Sequence, residues 1–159
     1  MHKMDKIDLG IVNLLMEDGR MACADIARQL GNITERSVRY RLERMLKDGI
    51  IRIAAIANPL KLGFSVIADV FIEVEPARIM DVAHKLVCYD CVRYVACSTG
   101  ERDISVQVTA QTNADVYAFV TEVIARLPGV RKTNTSFVPV TLKDAYDWRI
   151  PTTACTEVK

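Results

Sequence analysis

No apolar run in this 159-residue chain approaches the roughly 20 residues needed to span a bilayer as a helix. The opening stretch, MHKMDKIDLG, is charged and lacks the apolar core of a secretory signal. Cytoplasmic localisation is therefore expected. Neither sign of charge dominates, since the formal net charge is +1. That excludes a basic coat for nucleic acid, and any DNA affinity must come from local charge asymmetry. Histidine occurs only at His2 and His84, and no nucleophile–base pair stands out, so an enzyme is not expected and neither is a cofactor. The five cysteines (Cys23, Cys88, Cys91, Cys97 and Cys155) would sit in a reducing compartment, where stable disulfides are not expected. Cys88 and Cys91 have CxxC spacing, but no second pair follows to complete a tetrahedral zinc site. They read as small hydrophobes, and no metal is expected.

What is present is half apolar and divides into two rhythms. From Met4 to about Ile53 the apolar residues recur at helical spacing. Ile7, Ile11, Leu14 and Leu15 make one stripe, and Ile26, Ala27 and Leu30 make a second. Val38, Leu42, Met45 and Leu46 make a third. Gly19, Gly31 and Gly49 end these helices, and Thr34 is placed to cap the third. Asp25 to Ile51 thus reads as a helix-turn-helix whose second helix carries many arginines, the arrangement that enters a DNA major groove. A wing-like β segment is expected over Ile50 to Ala57.

After Phe64 the period changes. Val66, Ala68, Val70, Ile72 and Val74 alternate with Ser65, Asp69 and Glu73 as in a strand with one buried face. A helix from Ile79 to Val87, strands over Val92–Thr99 and Ile104–Ala110, a helix through Val116–Leu127 and a strand over Val130–Thr141 follow. The order βαββαβ is the ferredoxin-like arrangement, an α+β sandwich. Ile67 and Phe71 fall on the face away from the helices, which suggests that sheets pair between subunits. The expected boundaries are 1–53 for the helix-turn-helix domain, 54–63 for a β linker, 64–142 for the ferredoxin-like domain and 143–159 for a tail. The tail either docks through Trp148 or is partly disordered.

These residues resemble the Lrp/AsnC, or feast/famine, family of transcription regulators from about Met4 to Thr141. The likeness is carried by Met4-Asp5 with Asp8, Asp18-Gly19-Arg20, and the set Thr34, Ser37, Val38, Arg41 and Leu42. It continues through Gly49-Ile50-Ile51, Leu62-Gly63, Thr99-Gly100 with Asp103, and Pro128-Gly129-Val130 with Thr133 and Thr135. Two departures stand out. The turn GNIT from Gly31 to Thr34 is one residue longer than the common family turn, which either rotates the recognition helix or extends the loop. Position 102 is arginine where the family often has an aromatic.

A helical wheel centred on Val38 puts Arg36, Tyr40, Arg44 and Lys47 on the outward side, with Arg39 and Arg41 on the flanks. Thr34, Arg36, Ser37 and Tyr40 are expected near base edges, because the first turns of a recognition helix enter deepest. Arg39, Arg44 and Lys47 are expected to grip phosphates. Arg41 has two readings, a phosphate contact or an ion pair with Asp5 or Asp8.

The resemblance implies that the second domain senses a small molecule, usually an amino acid, between subunits. A zwitterion suits the turn. Backbone N–H groups at Thr99 and Gly100 would take its carboxylate. Asp103 or Glu101 would take its ammonium, and Thr133 and Thr135 would add hydroxyls. Arg102 would suit an acidic effector or an intersubunit ion pair. The expected protein is a homodimer assembling further, binding double-stranded DNA under effector control. The alternatives are an effector-independent architectural DNA-binding protein and a sirohaem-decarboxylase-like enzyme, the latter on a related branch of the same fold.

Overall fold

The computed structural model describes residues 4–151 and 153. His2, Cys155 and the end of the tail lie outside the described residues. The chain divides into two compact units, one of Met1–Ile56 with Lys143–Lys159 and one of Ala57–Leu142.

In the first unit, α1 spans Lys6–Glu17, α2 Cys23–Leu30 and α3 Glu35–Lys47. The starts of α1 and α3 have local causes. Asp5 caps α1 by accepting from the Asp8 N–H at 2.8 Å, and Asp8 returns the bond to the Asp5 N–H at 3.3 Å. Thr34 Oγ1 accepts from the Ser37 N–H at 3.3 Å and starts α3. Gly31, at φ 72°, ends α2 in the left-handed region that favours glycine. The longer turn after it is anchored by Ile33, half-buried against the helical core. That core is Ile11, Val12, Ile26, Val38 and Met45.

The segment from 51 to 58 forms no strand, so the expected β linker is not realised within this chain. A strand needs a ladder partner, and the only sheet among the described residues is made of later segments. Nor does the tail dock through Trp148, which is 58% exposed. It is Ile150 that packs on the helical core, while Arg149 Nη1 lies 3.2 Å from Glu17 Oε1 on α1.

The second unit is a four-stranded antiparallel sheet carrying two helices. The strands are β1 Val66–Val74, β2 Val92–Cys97, β3 Ile104–Ala110 and β4 Val130–Phe137, in the order β2-β3-β1-β4. Between β1 and β2 lies α4, Ile79–Leu86. Between β3 and β4 lies α5, Asn113–Ala118, which runs on through a π turn at Phe119–Val123 and a 3-10 turn at Ile124–Arg126. β4 ends four residues earlier than its alternation suggests. Ala68, Val70, Ile72, Val74, Ile104, Val106 and Val108 line the helix-covered side with Val82, Leu86, Val116 and Ile124. The opposite side of the sheet is open, as the parity of β1 requires.

Candidate functional site

The outward side of α3 is built by its own periodicity. With Val38 and Met45 fully buried, Arg36, Tyr40 and Lys47 are left exposed, Tyr40 at 66%. Arg36 and Lys47 make no ion pair among the described residues. Thr34 holds the N-cap and Ser37 is half-buried beside it, so both lie at the N-terminal end of the helix. Arg39 Nη2 donates to Glu35 Oε1 at 2.7 Å, one turn back along an exposed face. A surface pair of this kind contributes little and opens readily.

Arg41 and Arg44 are placed differently. Arg41 Nη1 donates to Asp5 Oδ2 at 2.7 Å and to Asp8 Oδ1 at 2.8 Å. Arg44 Nη2 donates to Asp8 Oδ2 at 3.3 Å, and its Nε is buried without a hydrogen-bond partner. Asp8 is only 1% exposed and is the one buried charged residue among those described. Of the two readings of Arg41, the structure adopts the ion pair. The expectation that Arg44 sits with its head among the outward cations is corrected, because its guanidinium turns back to α1. Burial alone would lower the Arg41 pKa, but the hydrogen bonds and charges of Asp8 and Asp5 outweigh it and raise the value. Burial pushes the Asp5 carboxyl up, whereas the Asp8 N–H and Arg41 pull it down, leaving it below the ordinary 3.8.

In the second unit the turn between β2 and β3 carries Thr99, Gly100, Glu101, Arg102 and Asp103. Gly100 has φ 134°. The Arg102 guanidinium lies 4.0 Å from the centroid of the Phe71 ring, a cation–π contact. Phe71, Glu73, Glu101, Arg102, Lys132 and Asn134 line a cleft of about 130 Å³ on the open face. Asn134 lies across from Phe71 and Lys132 across from Glu73, with Lys132 Nζ 3.0 Å from Glu73 Oε1. The cleft thus offers two cations, two anions, an amide and an aromatic wall.

Of the seven expected effector residues, Glu101 and Arg102 line the cleft, whereas Thr99, Gly100, Asp103, Thr133 and Thr135 do not. Thr133 and Thr135 pair with Ile72 and Val70, and residues directly across a ladder share a face, so both threonines are on the helix-covered side. Asp103 is a brace. Its N–H donates to the Ile72 carbonyl at 3.0 Å, its carbonyl accepts from the Ser98 N–H at 2.9 Å, and its Oδ2 accepts from the Val74 N–H at 2.8 Å. Val74 follows the irregularity in the β1–β4 register at Glu73/Val74, where the ladder leaves an N–H in need of a partner. The cleft is also lined by Glu73, Lys132 and Asn134, which the sequence reading did not single out. The available signal was strand parity, which sets Asn134 opposite in sense to both flanking threonines.

No cluster of metal-ligating side chains occurs among the described residues. Burial raises the Cys91 pKa, which keeps it a thiol, and the exposed Cys88 Sγ donates to the His84 carbonyl at 3.3 Å.

Against known proteins, residues 4–52 match the winged helix-turn-helix DNA-binding model and residues 67–148 match the Lrp/AsnC ligand binding domain. The chain belongs to the Lrp/AsnC family. It is 36% identical over 145 residues to an HTH-type transcriptional regulator of Pyrococcus horikoshii, covering 91% of each chain. It is 32% identical to the transcriptional regulator FL11 of Pyrococcus abyssi, over 91% of this chain and 95% of that one. Among solved structures, AsnC of E. coli superposes with a TM-score of 0.83 at 26% identity, over 90% of this chain and 97% of its own. A Neisseria meningitidis regulator solved with L-Met superposes at 0.85 with 22% identity, over 93% and 96%. This Lrp/AsnC protein is accordingly a DNA-binding transcriptional regulator with a ligand-binding domain, not an enzyme, and the decarboxylase alternative falls. No described helix is long and apolar enough to cross a membrane.

Proposed function

We propose that this regulator reads operator DNA with the first turns of α3 and that an amino-acid-like effector on the open sheet face modulates that binding. Arg36 and Tyr40 meet base edges with Thr34 and Ser37 beside them, while Lys47 and Arg39 hold phosphates. The observation that carries this reading is the α3 surface: two cations with no ion pair among the described residues and an exposed tyrosine, on one stripe of a firmly capped helix. An arginine making bidentate bonds to guanine supplies roughly 1–3 kcal/mol of discrimination. Arg36→Ala is expected to cost at least tenfold in affinity for an operator selected from random-sequence duplexes. Fluorescence anisotropy showing full affinity in the variant would overturn the assignment.

For the effector, the cleft at Phe71, Arg102 and Asn134 has the paired charges a zwitterion needs. The related regulator solved with L-Met supports an amino acid as the chemical class. A thermal-shift screen of the amino acids tests it: at least one is expected to raise the melting temperature of the wild type, and the same one to lose its effect in Asn134→Ala. Stabilisation by none of them would leave effector-independent DNA binding. The protein works in the cytoplasm as a homodimer that assembles further, its exposed Ile53, Ile56 and Phe137 being the kind of apolar surface that subunits cover. A monomeric mass in light scattering at micromolar concentration would refute the assembly.

A further inference from the structure

We infer that the buried carboxylate of Asp8 is a positioning and masking group for DNA binding. It withholds Arg41 and Arg44 from the phosphate backbone, so the duplex is met by fewer cations than α3 carries. The helix holds five basic residues against two acidic ones. On an unpartnered helix, Arg44 would share the outward stripe, four residues after Tyr40 and three before Lys47. Its head instead reaches Asp8 Oδ2 at 3.3 Å, while Asp8 Oδ1 takes Arg41 at 2.8 Å. Two features keep this arrangement in place. The Asp8 carboxylate is buried and shares in the α1 cap, so it cannot swing to another partner without opening the helix start. Arg41 is further gripped by Asp5 at 2.7 Å. Arg44 in turn leaves its Nε buried and unpartnered, a cost set against the bond its head makes to Asp8.

The functional consequence is specificity. Each phosphate contact adds affinity for any sequence and a salt dependence, but no base discrimination. With two arginines bound to α1, nonspecific binding is held down while Arg36 and Tyr40 still read bases. The same ion pairs fix the roll of α3 about its axis.

The test is the salt dependence of binding to a random-sequence duplex of 20 base pairs. Asp8→Asn keeps the shape and the cap acceptor but removes the charge. Its slope of log affinity against log salt is expected to steepen by about 0.9 for each arginine released, up to about two in all. The gain is expected to shrink in Asp8→Asn/Arg44→Gln. A folded Asp8→Asn protein with the wild-type slope, or with a slope that the second substitution does not alter, would overturn the proposal. A purely structural role would lower the melting temperature without moving the slope. Should Asp8→Asn fail to fold, nitrogen-15 NMR of the wild-type arginine side chains decides. The Arg36 signals are expected to shift on adding the duplex and those of Arg41 and Arg44 to stay. Equal shifts for Arg36 and Arg44 would refute the mask, and the absence of any binding to DNA would instead count against the DNA-reading face itself.

Discussion

Asp5 and Asp8 each perform two jobs with one carboxylate, capping α1 and holding arginines of α3. The capping was readable from local spacing. The partners lie more than thirty residues away, and only the wheel position of Arg41 hinted at one of them. The doubled role has a pH signature. The folded pKa of Asp5 is lowered, so its contribution to stability is fully present above the ordinary value of 3.8 and is lost as pH falls through the lower folded value. Urea unfolding between pH 7 and pH 2 is expected to show Asp5→Asn less stable than the wild type at neutral pH, with the gap closing below about pH 4. A gap independent of pH would disprove the assignment. Asp103 does structural work that its place in the turn did not reveal, since its Oδ2 accepts from the Val74 N–H. Removing its carboxylate strands the buried Val74 N–H, so Asp103→Ala is expected to cost about 1–3 kcal/mol in thermal or urea unfolding. Asp103→Asn, which keeps an acceptor, is expected to cost less.

The elements follow closely from periodicity and punctuation. Helices α1 to α3 and all four strands fall where apolar spacing puts them, because a helix of period 3.6 and a strand of period 2 must each turn one side to a core. The errors concern segments whose state depends on a neighbour. Residues 51–58 are rich in β-branched and small apolar side chains but have no ladder partner among the described residues, and β4 ends at Phe137 with the register of β1. Parity was passed over at β4. The family likeness marked Thr133 and Thr135 for their hydroxyls, yet the register with Ile72 and Val70 turns both toward the helices and leaves Asn134 on the open side. The turn into β4 offers an element-level test. Gly129 has φ 97°, and a Cβ there would come within 2.6 Å of Arg78 Cβ. Gly129→Ala is expected to destabilise the protein by about 1–3 kcal/mol, through strained backbone and overlap with an atom that cannot move aside. A melting temperature equal to the wild type would contradict this.

At the scale of the whole molecule, the chain leaves the DNA-binding unit after Ile56, forms the sheet unit, and returns at Lys143. The tail is therefore part of the helical unit, with Ile150 on its core and Arg149 beside Glu17. Ile150→Asp places a charge against apolar side chains and is expected to lower the melting of the helical unit, read by proteolysis within residues 4–56, while leaving the sheet unit resistant. Trp148→Ala, at an exposed position, is expected to have little effect in the same assay.

By itself the sequence determined the two units, the order of their elements, the capped recognition helix and the family, since all of these rest on spacings within a few tens of residues. Which side chains are available to act was decided by tertiary structure. Arg36 and Arg44 look alike on a helical wheel, and Asp103 and Glu101 look alike in a turn. Only the approach of α1 to α3, and of the turn to the irregular end of β1, commits one of each pair to the fold and leaves the other to the surface. A buried carboxylate or an unpaired N–H takes whatever partner the packing brings within 3 Å, and that distance is set between segments remote along the chain.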